Sequence, residues 1–247
     1  MPYSEGAANP ALSRWVECVW SLEADKPVRG YPVRPDGCID ILYSPSGGLS
    51  VVGAMTVERR FDLVEHACTL GIRFRPAMAV SFLRVPASEL TDRTVPLDTF
   101  WGRAARELES RLAEATSSEQ RGRTLSSAVR APAQAPNSVQ RALEHVATSH
   151  GDIDLDWVAR QAGMSERQFR RRCLDESGLA PKQLCRVLRF RRACALSRRG
   201  LPWGLVAAEA GYFDQAHLIR DFREFTGDTP VSVFSNTSKS DPAKVDT

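Results

Sequence analysis

Lysine, histidine and long apolar runs are what this chain of 247 residues has least of. Only four of its 33 basic side chains are lysine. Its four histidines, His66, His145, His150 and His217, form no His-Glu-x-x-His set, and neither a Gly-rich phosphate loop nor a Gly-x-Ser-x-Gly elbow occurs. An enzyme is therefore not expected. The six cysteines include no Cys-x-x-Cys pair and read as buried thiols. Nowhere do about 18 apolar residues follow one another, and the opening MPYSEGAANP lacks a basic stretch leading into an apolar run. Neither a membrane span nor a signal peptide is expected, which points to a cytoplasmic location, and no cofactor is implied.

What is present suits a folded protein: 43% hydrophobic and 26% charged residues can bury a core, and the length suggests two domains. The net charge of +3 is unevenly spread. Residues 1–130 balance 16 basic against 16 acidic groups, so the excess lies wholly downstream. Between Trp157 and Arg199 twelve bases face three acids, and eleven of the twelve are arginine. Arginine donates bidentate hydrogen bonds to phosphates and guanine edges, which favours a polyanionic partner over a merely solvated face.

The run APAQAPNS at 131–138 reads as a Pro/Ala linker. Upstream, strands are expected at Trp15 to Leu22, Cys38 to Tyr43, Leu49 to Gly53, Arg60 to Val64 and Cys68 to Phe74, split by turn clusters such as RPDG. Helices follow at Ala77 to Leu83, Leu97 to Ala115 and Ser118 to Val129. The fold class is α+β: a β-rich, barrel-like domain with flanking helices over 1–130, the linker, an all-helical domain over 139–234, and a polar tail over 235–247.

The helical half repeats. SGLAP at 177–181 returns as TGDTP at 226–230, an offset of 49, while VARQAGM at 158–164 returns as VAAEAGY at 206–212, an offset of 48. Each copy reads as helix, glycine turn, helix. In the first, Asp154 and Ser165 are expected helix caps, Gly163 the turn, Phe169 and Cys173 the anchoring face, with Arg167, Arg170 and Arg171 outward. In the second, Asp214 caps, Leu218 and Phe222 anchor, and Gln215, His217 and Arg220 project. Between them Pro181 to Arg199 reads as one helix of roughly 28 Å, near the roughly 34 Å between successive major-groove faces. RNA modules use aromatic sheet motifs or Gly-x-x-Gly loops, which are missing, so duplex DNA is the expected partner and an RNA-binding module the alternative. Residues 135–247 are expected to fold and bind DNA alone.

Residues 139–234 resemble the tandem helix-turn-helix domain of the arabinose-regulator (AraC/XylS) family of bacterial transcription factors. The resemblance is carried by DLDWVARQAGMSERQFRRRCLDESGLAP, KQLCRVLRFRRACAL and GYFDQAHLIRDFREFTGDTP. It implies base-facing positions at Arg167, Arg170 and Arg171 and at Gln215, Ala216, His217 and Arg220. Cys173 and Val233 stand where the family usually has aromatics. RPDGCIDILYS (34–44) and 71–102 resemble an uncharacterised sensor-like domain found before such readers. What the resemblance implies is a transcription regulator, such as an activator, with a small-molecule effector, RNA polymerase and a second copy of the chain as further partners.

Candidate effector contacts in the first half are Trp20, Tyr31, Tyr43, Arg73 and Arg75. Cys18, Cys38, Cys68 and His66 would be the ligands of a thiol- or metal-responsive alternative. Trp101, Ala104, Ala105, Leu108 and Leu112 share one helix face that must be covered, either by the β-rich body of its own domain or by a second copy as the dimer contact.

Overall fold

The computed structural model describes residues 3–65 and 68–237. His66 and the tail from 238 onward lie outside the described residues. The first half holds strands β1 (Tyr3–Ala7), β2 (Val16–Glu23), β3 (Val28–Val33), β4 (Ile39–Ser44), β5 (Gly48–Val52), β6 (Arg59–Leu63), β7 (Cys68–Phe74) and β8 (Thr94–Pro96). Six of them form an antiparallel sheet ordered β1-β2-β7-β4-β5-β8, and β3 pairs with β6 in a separate ribbon. Ile72 of β7 lies at the centre, opposite Val19 on one side and Ile41 on the other. Alternation assigns the faces: Ile39, Ile41 and Tyr43 of β4 are buried, whereas Asp40 and Leu42 between them are only half-buried. Tyr43, a candidate effector contact, is thus a core residue, as aromatic strand residues usually are.

The first half continues through α1 (Val80–Leu83), α2 (Asp98–Trp101), α3 (Arg103–Glu114) and α4 (Ser118–Ala128). The single helix expected over 97–115 is two helices. Gly102 sits at φ 54°, ψ −126°, where a side chain is not tolerated, and breaks it. The expected dimer face also needs correction. Ala105, Leu108 and Leu112 of α3 are buried against β5 and α4 of the same chain, and Ala104 is exposed. The stripe is already covered, so it does not provide a free interface.

Residues 129–137 hold no helix or strand, and the linker expected over 131–138 falls there except for Ser138, which opens the next helix. The second half is helical: α5 (Ser138–Thr148), α6 (Leu155–Gln161), α7 (Glu166–Ser177), α8 (Pro181–Arg198), α9 (Trp203–Glu209), α10 (Gln215–Thr226) and α11 (Pro230–Thr237).

The two halves share one buried cluster running from Leu12 to Val233. Gly37, in the turn before β4, lies over α8 so closely that a Cβ there would stand 3.2 Å from Leu184. Thr91 Oγ1 donates to the Gly178 carbonyl at 2.7 Å, Gln140 Nε2 to the Ala77 carbonyl at 3.2 Å, and the Glu58 amide to the Phe225 carbonyl at 2.6 Å. The sheet domain therefore touches both helical repeats and the helix between them. A fragment beginning at 135 would leave that surface bare, which the sequence reading did not foresee.

Candidate DNA-binding surface

The first unit is built as its residues dictate. The Asp154 carboxylate accepts from the amides of Asp156 and Trp157 at 2.9 and 3.3 Å and opens α6. Val158 and Ala159 are buried, and Gly163 at φ 70° makes the turn. Ser165 and Gln168 then form a reciprocal capping box that starts α7. Phe169 and Cys173 anchor α7 in the core, which leaves Arg167, Arg170 and Arg171 exposed on its other side.

The second unit repeats the plan. Val206, Ala207 and Ala210 are buried and Gly211 turns at φ 80°. Asp214 Oδ1 accepts from the His217 amide at 2.6 Å, and Leu218 and Phe222 anchor α10. Gln215, Ala216 and Arg220 are exposed. His217 differs from expectation: it is half-buried, with its ring edge-on to Tyr212 at 5.2 Å between centroids. The 18 residues of α8 span about 27 Å between the units.

Within the arginine run, together with Arg220 of α10, two sets stand apart that sequence alone does not separate. Arg186 reaches the buried Asp221 at 2.7 Å and also pairs with Glu224. Arg172 pairs with Glu176 at 3.3 Å, Arg189 lies over the Tyr212 ring, and Arg191 pairs with Glu17. These four hold the fold. Arg167, Arg170, Arg171 and Arg220 are exposed and make no ion pair among the described residues. A guanidinium with five free donors at an exposed helix face suits phosphate and base edges.

Of the candidate effector residues only Trp20 and Arg73 meet, both at Asp40 Oδ1, and the five do not line one pocket. Trp20 Nε1 donates to Asp40 at 2.6 Å, and its ring stacks on Tyr3. Arg73 lies 3.3 Å from Asp36 and 3.4 Å from Asp40, a charge cluster internal to the sheet. Tyr31 lines a cleft of about 240 Å³ with Arg34 and Asp228, whereas Arg75 lines another of about 720 Å³ between α5 and α8. All six cysteines are buried and none forms a disulfide. Burial pushes the thiols of Cys18 and Cys173 up to about 12 and that of Cys185 to about 11, so they stay protonated and unreactive. Among the described residues no group of three or more His, Cys, Asp or Glu could hold a metal ion, and no helix is long and apolar enough to cross a membrane.

Residues 158–236, which span both units, match the family model described as a helix-turn-helix domain, and residues 4–96 match a domain of unknown function (DUF6597). The second half is an AraC-type helix-turn-helix domain. That domain is the DNA-binding module of transcription regulators. Within it, the aromatic expected at Val233 is supplied next door, where Phe234 packs against Trp203 at 5.6 Å and Phe222 at 6.3 Å. Cys173, in place of the other aromatic, is fully buried and bonds through its sulfur to the Leu179 carbonyl at 3.3 Å.

Among solved structures, the chain is similar to the DNA-binding domain of AdpA in complex with a target DNA, at 23% identity and a TM-score of 0.41 over 44% of this chain and 99% of that one. A DNA-binding transcriptional dual regulator from Escherichia coli K-12 is 24% identical over 44% of this chain and 99% of that one, with a TM-score of 0.37. An apo variant of ToxT from Vibrio cholerae is 11% identical over 93% of this chain and 99% of that one, with a TM-score of 0.45. No curated protein matches the chain.

Proposed function

We propose that the protein is a transcription regulator that reads two successive major-groove segments of duplex DNA, with α7 in one and α10 in the next. The observation that carries this reading is the sorting of the arginines. The fold engages Arg172, Arg186, Arg189 and Arg191, while Arg167, Arg170, Arg171 and Arg220 stand exposed and unpaired on the matching helices of the two repeats. Arginine reads guanine and Gln215 reads adenine, Ala216 offers an apolar contact, and each helix N-terminus favours phosphate. His217, held at Tyr212, contributes from the edge of this surface.

The sheet domain contacts both reading units, so a small-molecule effector or a second copy acting on it would alter the relation between α7 and α10. RNA polymerase would then be the downstream partner. The experiment is a competition gel with the full chain: a duplex pool should displace labelled duplex far better than single-stranded RNA does. Equal competition by RNA would overturn the reading in favour of an RNA-binding module.

A further inference from the structure

The two helix-turn-helix units are not the same length. Before the turn they align at an offset of 48: Val158 with Val206, Ala159 with Ala207 and Gly163 with Gly211. The amides of Met164 and Tyr212 donate to the carbonyls of Ala159 and Ala207 at 3.0 and 2.9 Å, the same bond in both. After the turn the offset is 49. Ser165 and Asp214 are the caps, Phe169 and Leu218 the anchors, and Gly178 and Gly227 close the helices at an identical φ 79°, ψ −4°. One residue has been added between Tyr212 and the cap Asp214, and it is Phe213.

Packing does not account for this residue. Phe213 is 94% exposed, whereas Val231, the next most exposed large apolar side chain among the described residues, reaches 59%. Met164 and Tyr212, the residues on the turn that correspond between units, both pack inward. Phe213 stands one residue before the cap of α10, at the end of the helix that also exposes Gln215 and Ala216. Its ring offers no donor or acceptor. The one base feature in the major groove that such a group can read is the methyl group of thymine.

We infer that Phe213 is a specificity-determining residue that packs on the 5-methyl group of a thymine at the edge of the groove segment read by α10. The inference rests on the DNA-binding reading above and adds a residue that reading does not use. The extra turn residue moves the contact outward from the base edges facing Gln215 and Arg220, so the thymine lies at the end of the α10 half of the site.

The test uses the full chain and Phe213→Ala, which removes no buried surface and should leave the circular dichroism and melting curve unchanged. Duplexes are selected from a random pool with the wild type, and each thymine of the winner is then replaced in turn by deoxyuridine, which lacks only the methyl group. One replacement at the end of the α10 half should weaken the wild type about fourfold, the effect of exposing one methyl group, and leave Phe213→Ala unaffected. Phe213→Leu should keep part of the preference. If every replacement affects both proteins alike, or if Phe213→Ala binds all duplexes uniformly less well, the methyl contact is overturned. A wild type that enriches no sequence would instead overturn the DNA-binding reading, and this inference with it.

Discussion

Arg191 on α8 crosses to the carboxylate of Glu17 on β2, its Nη1 donating to Oε2 at 3.1 Å while lying 3.6 Å from Cys38 Sγ. A side chain from the helix that joins the two helix-turn-helix units is thereby fastened to the sheet. Burial pushes the Glu17 carboxyl up, but the charge and hydrogen bonds of Arg191, with the Arg73 charge and the Cys38 thiol, together outweigh it and the net shift is downward.

Glu17→Gln should lower stability by about 1–2 kcal/mol near neutral pH, the lower range for charged hydrogen bonds because the guanidinium keeps part of its exposure. The native carboxyl titrates below its unfolded value. The contribution is therefore complete above the unfolded value and is lost as pH falls through the native one. Urea unfolding at pH 7 and pH 3 should show the difference between wild type and variant shrinking at the acid end. An equal loss at both would contradict the pairing.

Asp40 has the opposite sign. Burial raises its carboxyl to about 6; Arg73 opposes the rise, Asp36 adds to it, and the hydrogen bond from Trp20 opposes it again. The native state then binds the proton more tightly than the unfolded chain, whose carboxyl titrates at about 3.9. This group's contribution accordingly falls as pH rises from about 4 to about 6. Asp40→Asn should flatten the stability profile in that window, as read by melting temperature against pH.

Arg186→Ala and Arg171→Ala should separate folding from binding. Removing Arg186 strands Asp221, which is 2% exposed, and should lower stability by about 2–3 kcal/mol. Arg171→Ala should change stability by less than about 0.5 kcal/mol yet weaken specific DNA binding by about 1–3 kcal/mol. Denaturant melts beside titrations of a selected duplex would check both. Matching losses of stability in the two variants would contradict the division of the arginines.

The fragment 135–247 should protect the amides of α8 less than the full chain does in hydrogen exchange, because Leu184, Val187 and Leu188 lose the cover of the turn at Gly37. Equal protection would show that the helical half does not need the sheet.

The helical half was legible in the sequence because its determinants are local. Asp154, Ser165 and Asp214 cap within three residues, Gly163 and Gly211 turn the chain, and the repeat aligns two copies of each. The strands β2, β4, β5, β6 and β7 were found nearly to the residue by alternation and flanking turn residues. β1, β3 and β8 were missed. YSEGA is polar, VRGYPV contains a glycine and a proline, and TVP is three residues long, so none shows an apolar period. The division of the arginines was not readable either, since Arg186 meets Asp221 and Arg191 meets Glu17 only through long-range packing. The same holds for the docking of the halves.

The central claim is that one chain places two helices in successive major-groove segments, and methylation interference on a selected duplex tests it most directly. Guanine methylation should interfere in two patches about one helical turn, or about 10 base pairs, apart. Arg171→Ala should abolish one patch and Arg220→Ala the other. A single patch, or two patches that both variants weaken equally, would contradict the account.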